Sequence, residues 1–115
     1  AFWTSIREQS HAFFAGAHEL VRVVVPALTP ATVFQGAPLM EWGGAQRWFK
    51  DPADADSLRA AALEAGGFAT LFRTNRRSGE IFQPLSAVQR RLQSSIKAVF
   101  DPRAIFNRGR MCEEL

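Results

Sequence analysis

Apolar and polar positions alternate with a period of two over Leu20–Pro26, where Val21, Val23 and Val25 face one way and Arg22 the other. That is the pattern of a half-buried strand. Two short aromatic runs follow, Leu39–Trp42 and Ala45–Lys50, separated by Gly43-Gly44. A glycine pair between strand-like runs predicts a hairpin, because a type I′ turn needs positive φ at both central positions. Phe68-Ala-Thr-Leu-Phe-Arg73 reads as one more strand.

Elsewhere the period lengthens to that of a helix. Leu58, Ala61, Ala62 and Ala65 recur at i, i+3, i+4 and i+7 behind Asp51-Pro52, and Gly66-Gly67 supplies the stop. Leu85, Val88, Leu92, Ile96 and Val99 predict a second helix with that stripe buried and Arg90, Arg91, Gln93, Ser94 and Lys97 outside. Ser86-Ala-Val-Gln89 is a capping box at its start, and Asp101-Pro102 ends it. A further short helix is predicted over 5–15: Ser5-Ile-Arg-Glu8 reads as its capping box, Ile6, Phe13, Phe14 and Ala17 share a face, and Gly16 ends it.

The order is therefore helix, strand, hairpin, helix, strand, helix, tail. Three or four antiparallel strands with helices packed on one face make an α+β fold, a ferredoxin-like variant. The usual first crossover helix falls in residues 27–37, a stretch too short and too rich in proline to hold one. Thr74–Gly79 is a polar loop.

Composition narrows the class without naming it. A chain of 115 residues fits a single domain, and 47 % apolar with 22 % charged residues is ordinary for a globular protein. The net charge of +3 is carried by scattered arginines, densest at Arg76-Arg77 and Arg90-Arg91. No basic stripe or aromatic RNA-binding signature accompanies them, so nucleic acid is not the expected partner. The single Cys112 forms no internal disulfide and no Cys/His set has zinc spacing, so a reducing compartment is expected and no metal. No apolar run approaches the roughly 20 residues of a membrane helix. No signal peptide is visible, and a start at Ala rather than Met is weak evidence for a fragment.

Most candidate chemistry has an ordinary structural explanation. Ser78-Gly79 and Cys112 have no histidine at a nucleophile's spacing. His11 and His18 are two ligands without a third, and Gly43-Gly44 is followed by a strand rather than a phosphate-binding helix. Arg47 beside Trp48 stands out more, because an Arg fork next to an aromatic suits recognition of a carboxylate. The tail stands out most. Phe100-Asp-Pro-Arg-Ala-Ile-Phe-Asn-Arg-Gly-Arg-Met111 has no regular period, yet keeps Ile105 and Phe106, which favour burial, beside Asn107 and Gly109, which suit tight turns.

This tail resembles the F-D-P-x-x-I/L-F/L-N-P-G-R/K ending common among FAD-linked oxidases of the vanillyl-alcohol oxidase type. It matches at Phe100, Asp101, Pro102, Ile105, Phe106, Asn107, Gly109 and Arg110. Within that family, Glu41-Trp-Gly-Gly-Ala-Gln-Arg-Trp48 resembles a segment of the FAD-binding subunits of glycolate oxidases, Ala65-Gly-Gly-Phe-Ala-Thr-Leu-Phe-Arg73 sits at the spacing such a subunit would show, and the resemblance runs from about residue 2 to 111. It implies a C-terminal cap domain, spanning 1–115, of a larger subunit whose N-terminal domain, absent here, holds most of the FAD.

The implied activity is oxidation of glycolate or a similar 2-hydroxy acid to the 2-oxo acid, with other oxidase subunits as partners. Asn107 and Arg110 then lie near the flavin, and Arg47 and Trp48 on the substrate side. The implied location is the cytoplasm, or the periphery of the inner membrane through partner subunits. The isolated fragment is expected to bind no FAD and to be inactive. The alternative is an interaction module that assembles the complex, with Phe13 and Phe14 at an interface and the catalytic flavin in another subunit. Arg108 stands where the family has Pro, which loosens the turn, and the His-rich metal motif of the larger related subunit is absent.

Overall fold

The computed structural model describes residues 1–75 and 81–112. The chain divides into two compact units, Ala1–Arg77 and Ser78–Leu115. Arg76-Arg77 and Ser78-Gly79 lie outside the described residues.

The first unit contains helix α1 (Phe2–Arg7), strands β1 (Leu20–Val24), β2 (Leu39–Glu41) and β3 (Gln46–Lys50), helix α2 (Ala55–Glu64) and strand β4 (Phe68–Arg73). The sheet is antiparallel throughout, in the order β2-β3-β1-β4. β1 thus lies between β3 and β4, the two strands joined by α2, which is the split β-α-β arrangement expected. In place of a first crossover helix, residues 25–38 form a loop holding only a 3₁₀ turn at Ala31–Val33.

Strand alternation sorts the side chains onto two faces. Val21, Val23, Phe49, Ala69 and Leu71 join Leu58 and Ala62 of α2 in the main core. Leu20 and Trp48 face the other way and pack with Ile6 and Phe14 in a smaller cluster. Phe14 is therefore core and Phe13 partly buried against it, which removes the interface role considered for the pair. Gly67 marks where α2 returns to the sheet: a Cβ there would stand 2.0 Å from the carbonyl oxygen of Val24.

Two local expectations are corrected. The first helix runs from Phe2 to Arg7 rather than over 5–15, and Ser5, inside it, donates to the Phe2 carbonyl oxygen (2.7 Å) instead of capping. Helix α2 opens at Asp54, whose side chain accepts from the Asp56 amide, three residues beyond the Asp51 expected to open it. The Gly43-Gly44 hairpin turn, by contrast, forms as expected: both glycines have positive φ and the Ala45 N–H closes on the Trp42 carbonyl (3.2 Å), with Trp42 before them also at φ +53°.

The second unit is built on helix α3 (Ala87–Phe100), with the capping box realised between Ser86 and Gln89. Its apolar stripe is not buried: Val88, Leu92, Ile96 and Val99 are all more than half exposed. Among the described residues the unit has one helix and an irregular tail, and a lone amphipathic helix has nothing of its own to cover such a stripe. Ile105 and Phe106 of the tail are likewise exposed rather than anchored. Polar contacts order the tail instead.

Candidate functional site

The sheet face opposite the main core, onto which Ile6 and Phe14 pack, gathers its polar and aromatic groups around Trp48. The indole Nε1–H donates to Glu41 Oε2 at 2.6 Å, and Gln46 Nε2 donates to the same oxygen at 2.9 Å. The rings of Phe14 and Phe72 stand edge-on to Trp48, with centroids 5.9 and 5.0 Å away. Phe72 reaches this face through a β-bulge: Leu20 pairs with Arg73 and Val21 with Leu71, which leaves Phe72 as the extra residue.

Arg22 lies opposite Trp48 in the register, and its guanidinium sits 5.9 Å from the Phe72 ring centre. Its Nε–H is buried with no partner, and so is the Oε1 of Gln46. Unmet buried polar atoms are rare, and each costs about 1–3 kcal/mol.

Arg47 and Trp48 are adjacent in sequence but point to opposite sides of β3. Arg47 is 2 % exposed and donates to the carbonyl oxygens of Gly44 (3.0 Å), Pro30 (3.3 Å) and Thr29. Its guanidinium also lies 5.3 Å from the Phe34 ring centre. These contacts clamp the 29–30 loop to the glycine turn, which accounts physically for Arg47 in the Trp-Gly-Gly segment, while the φ of +97° accounts for Gly44.

A cleft of about 480 Å³ opens between residues 33–37 and the start of α2. Its acids are committed to local hydrogen bonds. Asp51 accepts from the amides of Glu19 (2.6 Å) and His18 (2.9 Å), with the Glu19 bond the larger cause of a lowered pKa, and Asp54 caps α2. His11, for its part, caps a 3₁₀ turn through Nδ1.

In the second unit Asn107 and Arg110 come together. They line a groove of about 360 Å³ with Gln93, Ile96, Lys97 and Met111. Asp101 shapes the segment leading there, accepting from the amides of Ile105 and Phe106 (both 3.0 Å) and from Lys97 Nζ (3.0 Å). The Phe106 amide is the largest cause holding the Asp101 carboxyl down from 3.8 to about 2, with Ile105 and Lys97 adding to it. Asn107 takes φ +49°, and the Arg110 amide closes a turn on the Asn107 carbonyl (3.2 Å).

Sequence reasoning had paired Arg47 with Trp48 and Asn107 with Arg110, and the structure brings together only the second pair. It passed over Arg22, Gln46, Glu41 and Phe72. Alternation had put Arg22 opposite the core valines, but its neighbours on that face follow from register and a bulge that no local pattern encodes.

The chain is 39 % identical over 114 residues to the glycolate oxidase subunit GlcE of Escherichia coli (strain K12), a match covering 99 % of this chain. It spans about a third, 32 %, of that relative's length. The resemblance read in the tail and the Trp-Gly-Gly segment thus extends along the whole chain. No family model matches the sequence, and no solved structure matches it.

Proposed function

We propose that this chain is the substrate-side cap domain of the FAD-binding subunit of a glycolate oxidase. In this reading it acts beside an FAD domain elsewhere in the same protein and contributes to oxidising glycolate or a similar 2-hydroxy acid to the 2-oxo acid. The observation that carries the reading is the 39 % identity to a glycolate oxidase subunit over 99 % of the chain.

The residues present fit a flavin. The groove holding Asn107 and Arg110 offers Ile96 and Met111 as an apolar wall, amides that can donate and accept at a ring edge, and a guanidinium suited to anionic flavin or phosphate. Bound FAD would supply the redox chemistry by accepting a hydride. The chain's own residues supply placement: Asp101 shapes the segment before Asn107, and Trp48 anchors the second face of the sheet. Arg47 fixes the turn next to Trp48 in sequence. The other oxidase subunits are the expected partners, and through them the inner-membrane periphery is the expected location. Among the described residues no helix is long and apolar enough to cross a membrane.

The test is the full-length subunit co-purified with its partner subunits. Wild-type complex should carry flavin and oxidise glycolate, and Asn107→Ala with Arg110→Ala should lower flavin content severalfold. Unchanged flavin content would remove these two residues from the cofactor site. The isolated 115-residue chain should bind no FAD and show no turnover; stoichiometric flavin absorbance in it would overturn the cap assignment. A second reading, a docking module with the catalytic flavin in another subunit, is favoured by the exposed stripe on α3. Flavin located on the partner subunits alone would select it.

A further inference from the structure

We infer that Arg22 and Gln46 are the pair that recognises the carboxylate and the 2-hydroxyl of a small 2-hydroxy acid, on the sheet face opposite the main core, beside Trp48. The inference rests on the function proposed above and adds the residues that select the substrate.

Two buried polar atoms on this face lack partners, and they differ in hydrogen-bonding sense. Arg22 Nε–H can only donate, and Gln46 Oε1 can only accept. A molecule that satisfies both must present an acceptor and a donor side by side. A 2-hydroxy acid does so, with its carboxylate and hydroxyl on adjacent carbons.

The register makes the two residues neighbours. Arg22 pairs with Trp48 and Val24 with Gln46, so Arg22 and Gln46 are diagonal on one face of β1 and β3, within the reach of long side chains. The orientation of the Gln46 amide follows from chemistry, because the nitrogen must face the Glu41 carboxylate that it donates to, which leaves the oxygen unpaired. Trp48 holds that carboxylate in place through its own N–H. Glu41 and Trp48 are thus positioning residues for Gln46.

The Arg22 guanidinium stands 5.9 Å from the ring centre of Phe72, a contact that leaves its edge donors for an anion. Among the described residues Arg22 makes no ion pair. Arg47 is unsuited to the same task, since its donors already bind the carbonyls of residues 29, 30 and 44.

The experiment uses the full-length subunit in its oxidase complex, with glycolate as substrate and acetate, which lacks the hydroxyl, as a competing ligand measured by inhibition and by calorimetric titration. Arg22→Met should raise KM for glycolate about 10- to 100-fold, the loss of a hydrogen bond to a charged group. It should weaken acetate binding to a similar degree while flavin content stays at wild type, and Arg22→Lys should recover part of both. Gln46→Met should raise the glycolate KM severalfold and leave acetate binding unchanged. That split is what a merely structural role would not produce. Wild-type KM in Arg22→Met and Arg22→Lys, or equal weakening of glycolate and acetate in Gln46→Met, would overturn the pairing and leave the proposed function standing. A wild-type complex that does not oxidise glycolate at all would overturn both.

Discussion

Val23 on β1 and Val99 on α3 each belong to a regular apolar pattern, yet Val23 is fully buried and Val99 is 77 % exposed. The difference lies in what each pattern meets. Val23 has α2 over it and strands on either side, so its unit closes a core from its own elements. Val99 belongs to a unit with a single helix among its described residues, whose tail is held by Asp101 and Lys97 rather than by apolar contact. The sheet unit is specified by burial and the tail unit by polar geometry. The two should therefore respond to different perturbations.

The largest effect is expected in the sheet unit, at Gly67. An alanine Cβ would stand 2.0 Å from the Val24 carbonyl oxygen and 2.9 Å from the Val25 Cα, backbone atoms that cannot swing aside. Gly67→Ala should cost about 3 kcal/mol, the upper range for overpacking, read as a fall in the denaturation midpoint. A loss below about 0.5 kcal/mol, typical of a surface change, would show that β1 and β4 are not packed this closely.

The tail should yield to acid instead. Hydrogen bonds from Phe106 and Ile105, together with Lys97, hold the Asp101 carboxyl down from 3.8 to about 2. A depressed carboxylate pKa contributes stability that is present above the unfolded value and is lost as pH falls through the folded one. The tail should therefore stay ordered at pH 5 and loosen between about pH 4 and 2. An NMR titration following the Ile105 and Phe106 amides measures it. A midpoint at the ordinary value would mean that Asp101 does not hold the tail.

The same contrast decides how much was legible in the sequence. β1, β3, β4 and α2 were readable because each has a face that meets a partner in its own unit, so period and burial coincide. The capping box at Ser86 was readable because it is local. The stripe on α3 was read correctly as a pattern and wrongly as buried, since periodicity marks a face without saying whether anything lies on it. The site divides along the same line. Asn107 and Arg110 are three residues apart and share one turn, whereas Arg22 and Gln46 meet only through a register set by residues far apart in the chain.

The smallest effect is expected on that stripe, and it sharpens the comparison most. Leu92 is 59 % exposed and Leu58 is 5 % exposed. In the 115-residue chain, Leu58→Ala should cost about 3 kcal/mol through the cavity left under α2. Leu92→Glu should stay within about 0.5 kcal/mol, because its side chain already stands in water. Amide exchange resolved by element reads both, through the protection of β1 and of α3. If Leu92→Glu strips protection from α3 in this chain, the stripe is buried after all and the contrast between the two units fails. If it leaves α3 intact but disrupts co-purification of the full-length subunit with its partners, the stripe is a docking face whose apolar character serves assembly rather than folding.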